Sequence, residues 1–453
     1  MENTVIKEGR PHQVFAQRRS IPARSSVGFD RFLWAFVFGL GFAGFFGALY
    51  LAVVLYIPSR EVSVPYRAIM LCAAATMILR MLFMGGRFYK GWLWLPIGVF
   101  FFFYILRLAV DGYVTRMPLP DTPGRMLLMT FGACFVPMVA LMRNMDSQAV
   151  ESAFFGFMIF GVFFGLATVG LYQEFFGGEG TSRMQGGQFI GDHIGVTPLG
   201  VAYMGGAMIA VGSSRLFLPR IVGMLQRRAY PILLIVCGLP PFLIGASRGA
   251  LVGLIVCAVV MTLSKLRAGQ VANLFTGTII SGIIGLGIVF AAQEVGSGVI
   301  DRFMRIGEQI QVDASGAARL YIWSTTFQLF LSSPIFGYGL VVPGVAAYPH
   351  NSILEAFAGT GIIGGVCFLM LFTAGAKRAY YLIREHAAYS WLGMLFMIYG
   401  TYSLLSSSIG TLAFFWMALG AVFGASHFLG YDNFNKRRVW FPKKRIGQGF
   451  VPR

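Results

Sequence analysis

Two short stretches carry residue types that could do chemistry. "HNSILE" places His350, Asn351 and Glu355 at the head of a long apolar run. "GASRGA" sets Arg248 behind Ser247 between two apolar segments. A third, "GGEGTSRMQGGQFIGDH", carries Arg183 in a glycine-rich setting and ends on Asp192 and His193. Histidine is the side chain whose ordinary pKa lets it exchange a proton near neutral pH. Fixed guanidinium groups bind phosphate oxygens in a planar, bidentate manner. Arginines gathered with one potential base point to a pocket for an anion such as a phosphate or diphosphate. Taken singly, each arginine is most simply solvated or bound to lipid phosphate. A lone interfacial histidine is more often structural. The convergence of these residues gives the reading its weight.

The elements that must position them are membrane helices. The chain has 453 residues, 57% hydrophobic and 12% charged, with a mean hydropathy of +0.70. A soluble domain carries roughly twice that charged fraction. Apolar runs near the ~20 residues needed to cross a bilayer recur along the whole length, and no barrel-like alternation interrupts them. The pattern predicts an all-α polytopic protein with about twelve spans at 31–56, 67–84, 92–110, 124–142, 153–176, 191–212, 231–246, 249–264, 274–292, 351–375, 390–407 and 411–429. Residues 1–30 and 430–453 are basic tails flanking a single transmembrane domain, 31–429.

Lys and Arg outnumber Asp and Glu by 36 to 18. They crowd the two tails and the 213–230 and 376–389 loops, all on one face of this threading. That bias makes the face cytoplasmic and puts both termini inside. It also accounts for the net charge of +18 without a nucleic-acid partner. The first thirty residues resemble no cleavable signal. The five cysteines lie in apolar runs without metal-ligand spacing and read as packing residues.

Arg183, Arg248 and His350 then fall on the extracytoplasmic face. Spans six, eight and ten start there, so three helix N-termini with partial positive charge and free N–H donors point outward. Ser247 is placed to cap the eighth helix, and Asn351 and Glu355 share a face of the tenth. Glu355 lies below the outer surface, where a carboxylate needs a partner or water. The glycines of "GTGIIGG" read as close helix packing. The aromatic run "WLWLPIGVFFFFYILRL" reads as lipid-facing surface. The longest extramembrane segment, 293–350, carries a helix-like stretch with Tyr321 and Trp323 at headgroup level. No acidic pair or Asp-x-Asp site stands on the outer face, so neither a metal nor a cofactor is expected.

Three segments in order, "ASRGALVGLIV", "ARLYIWSTTFQLFLSSPIFGYGL" and "HNSILEAFAGTGIIGGVCFL", resemble the O-antigen ligase and polymerase superfamily of bacterial membrane glycosyltransferases. The resemblance covers roughly 180–375. It implies a C-type glycosyltransferase-like fold, with the 293–350 loop forming short extracytoplasmic helices between spans nine and ten. It implies a glycan donor on undecaprenyl diphosphate and metal-independent, inverting transfer at the periplasmic face of the inner membrane. By position, Arg183 and Arg248 would bind the donor diphosphate. Arg319 would add to the anion site or organise the outer loop, and His350 would act on the acceptor hydroxyl, with Ser247, Asn351 and Glu355 in support. The family often has Pro-Asn where this chain has Asp192-His193, which leaves the role of that pair open. The acceptor would be lipid A–core for a ligase, or another lipid-linked repeat unit for a polymerase making O-antigen or exopolysaccharide. The compact motif set and modest outer loop lean towards ligase. A chain-length regulator enters as a partner only through the family. The rival from another class is a lipid-linked glycan transporter, which would place charges deep in the spans.

Overall fold

The computed structural model describes residues 24–55, 57–83, 89–119, 121–171, 197–216, 228–265, 314–343 and 348–432. The described chain is helical and contains no strand. The helices are α1 (Arg24–Gly39), α2 (Phe45–Val54), α3 (Ser59–Phe83), α4 (Trp94–Ala109), α5 (Pro123–Leu128), α6 (Val136–Leu141) and α7 (Ser147–Gly170). There follow α8 (Pro198–Leu216), α9 (Tyr230–Gly245), α10 (Arg248–Lys265), α11 (Ala314–Ser332), α12 (Ser352–Glu385), α13 (Ser390–Leu405) and α14 (Ala413–Phe428). Wide π turns at Leu40–Gly44, Val110–Val114 and Met129–Phe135 continue α1 into α2, extend α4, and join α5 to α6. Among the described residues, six helical stretches are long and apolar enough to cross a membrane: Gly28–Val54, Glu61–Phe83, Trp94–Val114, Pro123–Leu141, Ser147–Gly170 and Ser352–Glu385. Shorter apolar helices at Tyr230–Gly245, Arg248–Ser264 and Ala413–Phe428 pack with them.

Apolar side chains cover the outside as well as the core, as lipid requires. In the run read as lipid-facing, Leu95 and Phe102 are exposed, but Phe100, Phe101 and Tyr104 are buried. The sequence reading therefore holds for one side of α4 only. The buried side joins an aromatic cluster in which Phe100 stacks on Trp416 and Phe101 meets Trp416 at 4.9 Å between centroids. A second cluster surrounds Phe42, with Tyr399, Phe414 and Phe157 all within about 6 Å. Offset and edge-on aromatic pairs of this kind add about 0.5–1.5 kcal/mol each beyond area burial.

The helix expected at 351–375 runs from Ser352 to Glu385 and is broken at Gly361, whose φ of 67° and ψ of −168° are not helical. In an unbroken helix the Ile362 N–H would bond the Ala358 carbonyl. Here Ile362 N donates to Pro334 O at 2.8 Å. The Ala358 carbonyl instead accepts from Tyr338 N (2.7 Å) and Gly339 N (3.2 Å). The segment Pro334–Gly339 is thus slotted into the break, and the Ile362 amide and Ala358 carbonyl freed by it are satisfied again. Membrane helices tolerate a break only under that condition. Two glycines make the fit. A Cβ at Gly361 would stand 2.0 Å from Ile335 O, and one at Gly337 (φ 76°) 2.6 Å from the Gly359 backbone. The glycines that read as helix packing therefore include the hinge of this interlock.

A buried ion pair holds the slotted segment from the other side. Arg107 on α4 pairs with Asp111 in the following π turn. The guanidinium donates to the carbonyls of Gly337 (3.3 Å) and Tyr338. Asp111, fully buried, accepts from Leu340 N at 2.8 Å. Nothing in the sequence reading singled out this pair.

Candidate active site

His350 is held by its neighbours on both sides. Asn351 caps α12: its side chain accepts from Ile353 N and Leu354 N, both at 3.1 Å. On the other side, Trp323 Nε1 donates to Pro349 O at 2.9 Å. Between these anchors His350 adopts φ 57°, a left-handed conformation that costs a non-glycine residue about 1–2 kcal/mol. Tyr348 meets the imidazole edge-on at 4.6 Å. Arg319 and Trp323 lie four residues apart on α11 and so share a face. Trp323 clamps the backbone before His350, while Arg319 acts electrostatically on its ring. The half-buried imidazole has its pKa lowered by desolvation first and by Arg319 second, with the Ser406 backbone opposing the shift. Its Nδ1 is buried and, among the described residues, has no hydrogen-bond partner.

The Trp323 clamp gives a first expected result. Trp323→Phe keeps the ring and removes the donor, a loss worth about 1 kcal/mol for a neutral hydrogen bond. Any His350-dependent activity should fall about fivefold, with helix content unchanged by circular dichroism. Unaltered activity would show that the clamp does not position His350.

Arg248 opens α10. The turn before it places Ala246 at φ 40°, and Ser247 Oγ accepts from Ala250 N at 3.4 Å, so Ser247 is the cap that the sequence suggested. Behind the turn stands Tyr203 of α8. A Cβ on Gly249 would lie 2.4 Å from Tyr203 Oη and 3.5 Å from Ser406 Oγ. Tyr203 packs on Tyr402 of α13 at 4.4 Å. Arg319 acts electrostatically on Tyr203 as it does on His350. Ser352 Oγ donates to Ser403 Oγ at 3.2 Å, joining the start of α12 to the end of α13. The starts of α10 and α12 therefore meet at one end of the bundle, beside the first turns of α8. This brings together the surroundings of Arg248, Arg319 and His350. Arg183, Asp192, His193 and the span expected at 274–292 lie outside the described residues.

Glu355 lies buried with partners of its own, as its depth required. It is 2% exposed, and it accepts from Ser408 Oγ at 2.7 Å and from Ile409 N at 3.2 and 3.1 Å. It fixes the serine turn between α13 and α14. Asn351 serves as the helix cap. Among the described residues neither is hydrogen-bonded to the imidazole, and it is the Ser406 backbone that faces the ring. Sequence reasoning missed Ser406–Ser408, Tyr203, Arg107 and Asp111. The three consecutive serines in "LLSSSIG", and an Arg and an Asp four apart in an apolar run, were the available signals.

With this geometry in place, comparison with known proteins is informative. The described chain is a multi-pass helical membrane protein. Residues 232–369 match the family model described as O-antigen ligase, which supports the O-antigen ligase and polymerase superfamily for this chain. The match implies a glycosyltransferase-like enzyme with a lipid-linked glycan and an acceptor as its partners. It contains the Ser247–Ala250 turn, Arg319, Trp323, the slotted Pro334–Gly339 segment and His350–Glu355. Tyr203, the Arg107–Asp111 pair and the serine turn lie outside it. No curated protein and no solved structure gave a match.

Proposed function

We propose that this chain transfers a glycan from undecaprenyl diphosphate to an acceptor hydroxyl at the periplasmic face of the bacterial inner membrane, as an O-antigen ligase acting on lipid A–core. Joining of lipid-linked repeat units by a polymerase is the alternative. The observation that carries the reading is His350: its Nδ1 is buried without a partner among the described residues, beside a guanidinium that disfavours its protonation.

In the proposed step the sugar C1–O bond to the diphosphate breaks, and a bond from C1 to the acceptor oxygen forms on the opposite face. The anomeric centre inverts. The hydroxyl proton passes to His350 Nδ1, and undecaprenyl diphosphate leaves with the bonding electrons. The Ser406 backbone favours the protonated ring. With Nδ1 unpartnered, that contact falls to Nε2, which leaves the Nδ1 lone pair as the base. Arg248, Arg319 and, by its position in the family pattern, Arg183 stabilise charge on the leaving diphosphate. The amide ends of α10 and α12 add to that field. Such electrostatic groups need no reorganisation as charge develops, and this is why they accelerate the step.

The test is an assay of purified protein with a lipid-diphosphate glycan and two acceptors. Glycosylated lipid A–core is the expected product. Lengthened lipid-linked chains would establish the polymerase. No covalent product with either acceptor, alongside movement of the lipid across vesicles, would overturn transfer in favour of transport.

A further inference from the structure

Buried polar groups in folded proteins nearly always find partners, and a buried tyrosine hydroxyl is no exception. Tyr203 departs from this. The residue is fully buried, and among the described residues its Oη has no hydrogen-bond partner. Ser406 Oγ is close enough to interact, yet that oxygen too is buried without a well-formed bond. The two oxygens stand against Gly249, the residue after Arg248, where the absence of a Cβ leaves the Tyr203 hydroxyl its space. Arg319 lies within electrostatic reach of the same hydroxyl. Phenylalanine would fill the same volume and form the same contact with Tyr402. The hydroxyl is placed instead beside the amide end of α10, among groups that attract negative charge.

We infer that Tyr203 is a further donor-binding residue of the transfer site, its hydroxyl donating a hydrogen bond to a diphosphate oxygen of the lipid-linked glycan between Arg248 and Arg319. The inference rests on the transfer reading given above. A neutral O–H donor in this position complements the guanidinium groups. It adds directional stabilisation to the leaving oxygen without adding charge to the unliganded site. Ser406 Oγ lies beside that hydroxyl against the same face of Gly249 and lines the same position.

The decisive variant is Tyr203→Phe, assayed as full-length protein in lipid nanodiscs. The expected result is a fall of about a hundredfold to a thousandfold in kcat/KM for the lipid-diphosphate glycan, the range seen when one donor to a developing oxyanion is removed. Inhibition by added undecaprenyl diphosphate should weaken in parallel, while the acceptor KM stays unchanged. Thermal stability should be equal or higher, because an unsatisfied buried hydroxyl is lost. A lowered melting temperature with unchanged inhibition by undecaprenyl diphosphate would overturn the inference and make Tyr203 a packing residue. Gly249→Ala supplies a second arm. Its Cβ displaces the hydroxyl and should weaken inhibition as Tyr203→Phe does, and the double variant should be no weaker than Tyr203→Phe. Direct binding of undecaprenyl diphosphate separates the two readings. If the wild type yields no glycosidic product, transfer fails, and equal binding by wild type and Tyr203→Phe then overturns this inference on its own ground.

Discussion

Replacing His350 with alanine is expected to abolish glycan transfer, by the roughly 10²–10⁴-fold that a positioned general base contributes, while membrane insertion and helix content stay normal. Among the described residues the side chain has no hydrogen bond at Nδ1 to lose, and Asn351, not His350, caps α12. What the substitution removes from the fold is the ring's contact with the Ser406 backbone and with Tyr348, while the cap of α12 stays. Arg248→Ala should be comparably inactive, since Ser247 and not Arg248 caps α10. The pH profile adds a signed check. Burial and Arg319 hold the His350 pKa below that of free histidine. The neutral, proton-accepting form is present above that lowered pKa, so activity should persist to more acidic pH than free imidazole would allow and be lost as pH falls through it. Arg319→Gln removes one of the lowering causes and should move the acid limb upward in pH. Near-normal product from His350→Ala in cells, or an acid limb indifferent to Arg319, would refute the role of His350 as base.

The second large effect is expected at Asp111. Its carboxylate is fully buried, pairs with Arg107 and accepts from Leu340 N. Asp111→Ala strands the Arg107 guanidinium in the interior and leaves the Leu340 amide without its acceptor. Breaking one side of a buried ion pair costs about 3–5 kcal/mol, a large part of the stability of an ordinary domain. The Pro334–Gly339 segment loses its clamp, and with it the break at Gly361 loses its filling. Asp111→Ala should lower the thermal midpoint in detergent sharply and abolish activity. Asp111→Asn, which keeps an acceptor for Leu340, should retain part of both. A double variant, Arg107→Leu with Asp111→Leu, should recover more stability than Asp111→Ala alone. Equal midpoints for Asp111→Ala and wild type would show that the pair does not hold the segment.

Much of the helical frame was legible because its signals are local. Apolar runs gave the helices, Ser247 and Asn351 sat where caps belong, and the 314–333 stretch read as helical before any contact was known. The boundaries that moved did so for tertiary reasons. The span expected to end at 212 continues to Leu216, its first residues, 191–196, lying outside those described, and the helix expected to end near 375 continues to Glu385. The site was half legible. His350, Arg248 and Arg319 could be named from residue type and motif, but their partners are far away in sequence. Glu355 meets a serine turn more than fifty residues on, and His350 faces Ser406. Tyr203 is one of 18 tyrosines, and what sets it apart is a hydroxyl unpartnered among the described residues that stands against Gly249 and within electrostatic reach of Arg319. The hinge at Gly361 looked like helix packing because a glycine permits both close approach and a left-handed backbone, and the sequence does not say which is in use.

The slotted helix break also bears on how such a chain can diversify. Between Arg319 and Ile362 the polypeptide closes on itself at three points: Trp323 to Pro349, Tyr338 to Ala358, and Pro334 to Ile362. That stretch behaves as a cassette of fixed length. A residue gained or lost between Trp323 and Gly339, or between Pro349 and Ile362, would shift one clasp out of register with the others. Length changes ahead of α11 would leave all three untouched. A change of length there would still deliver the same histidine to the same place.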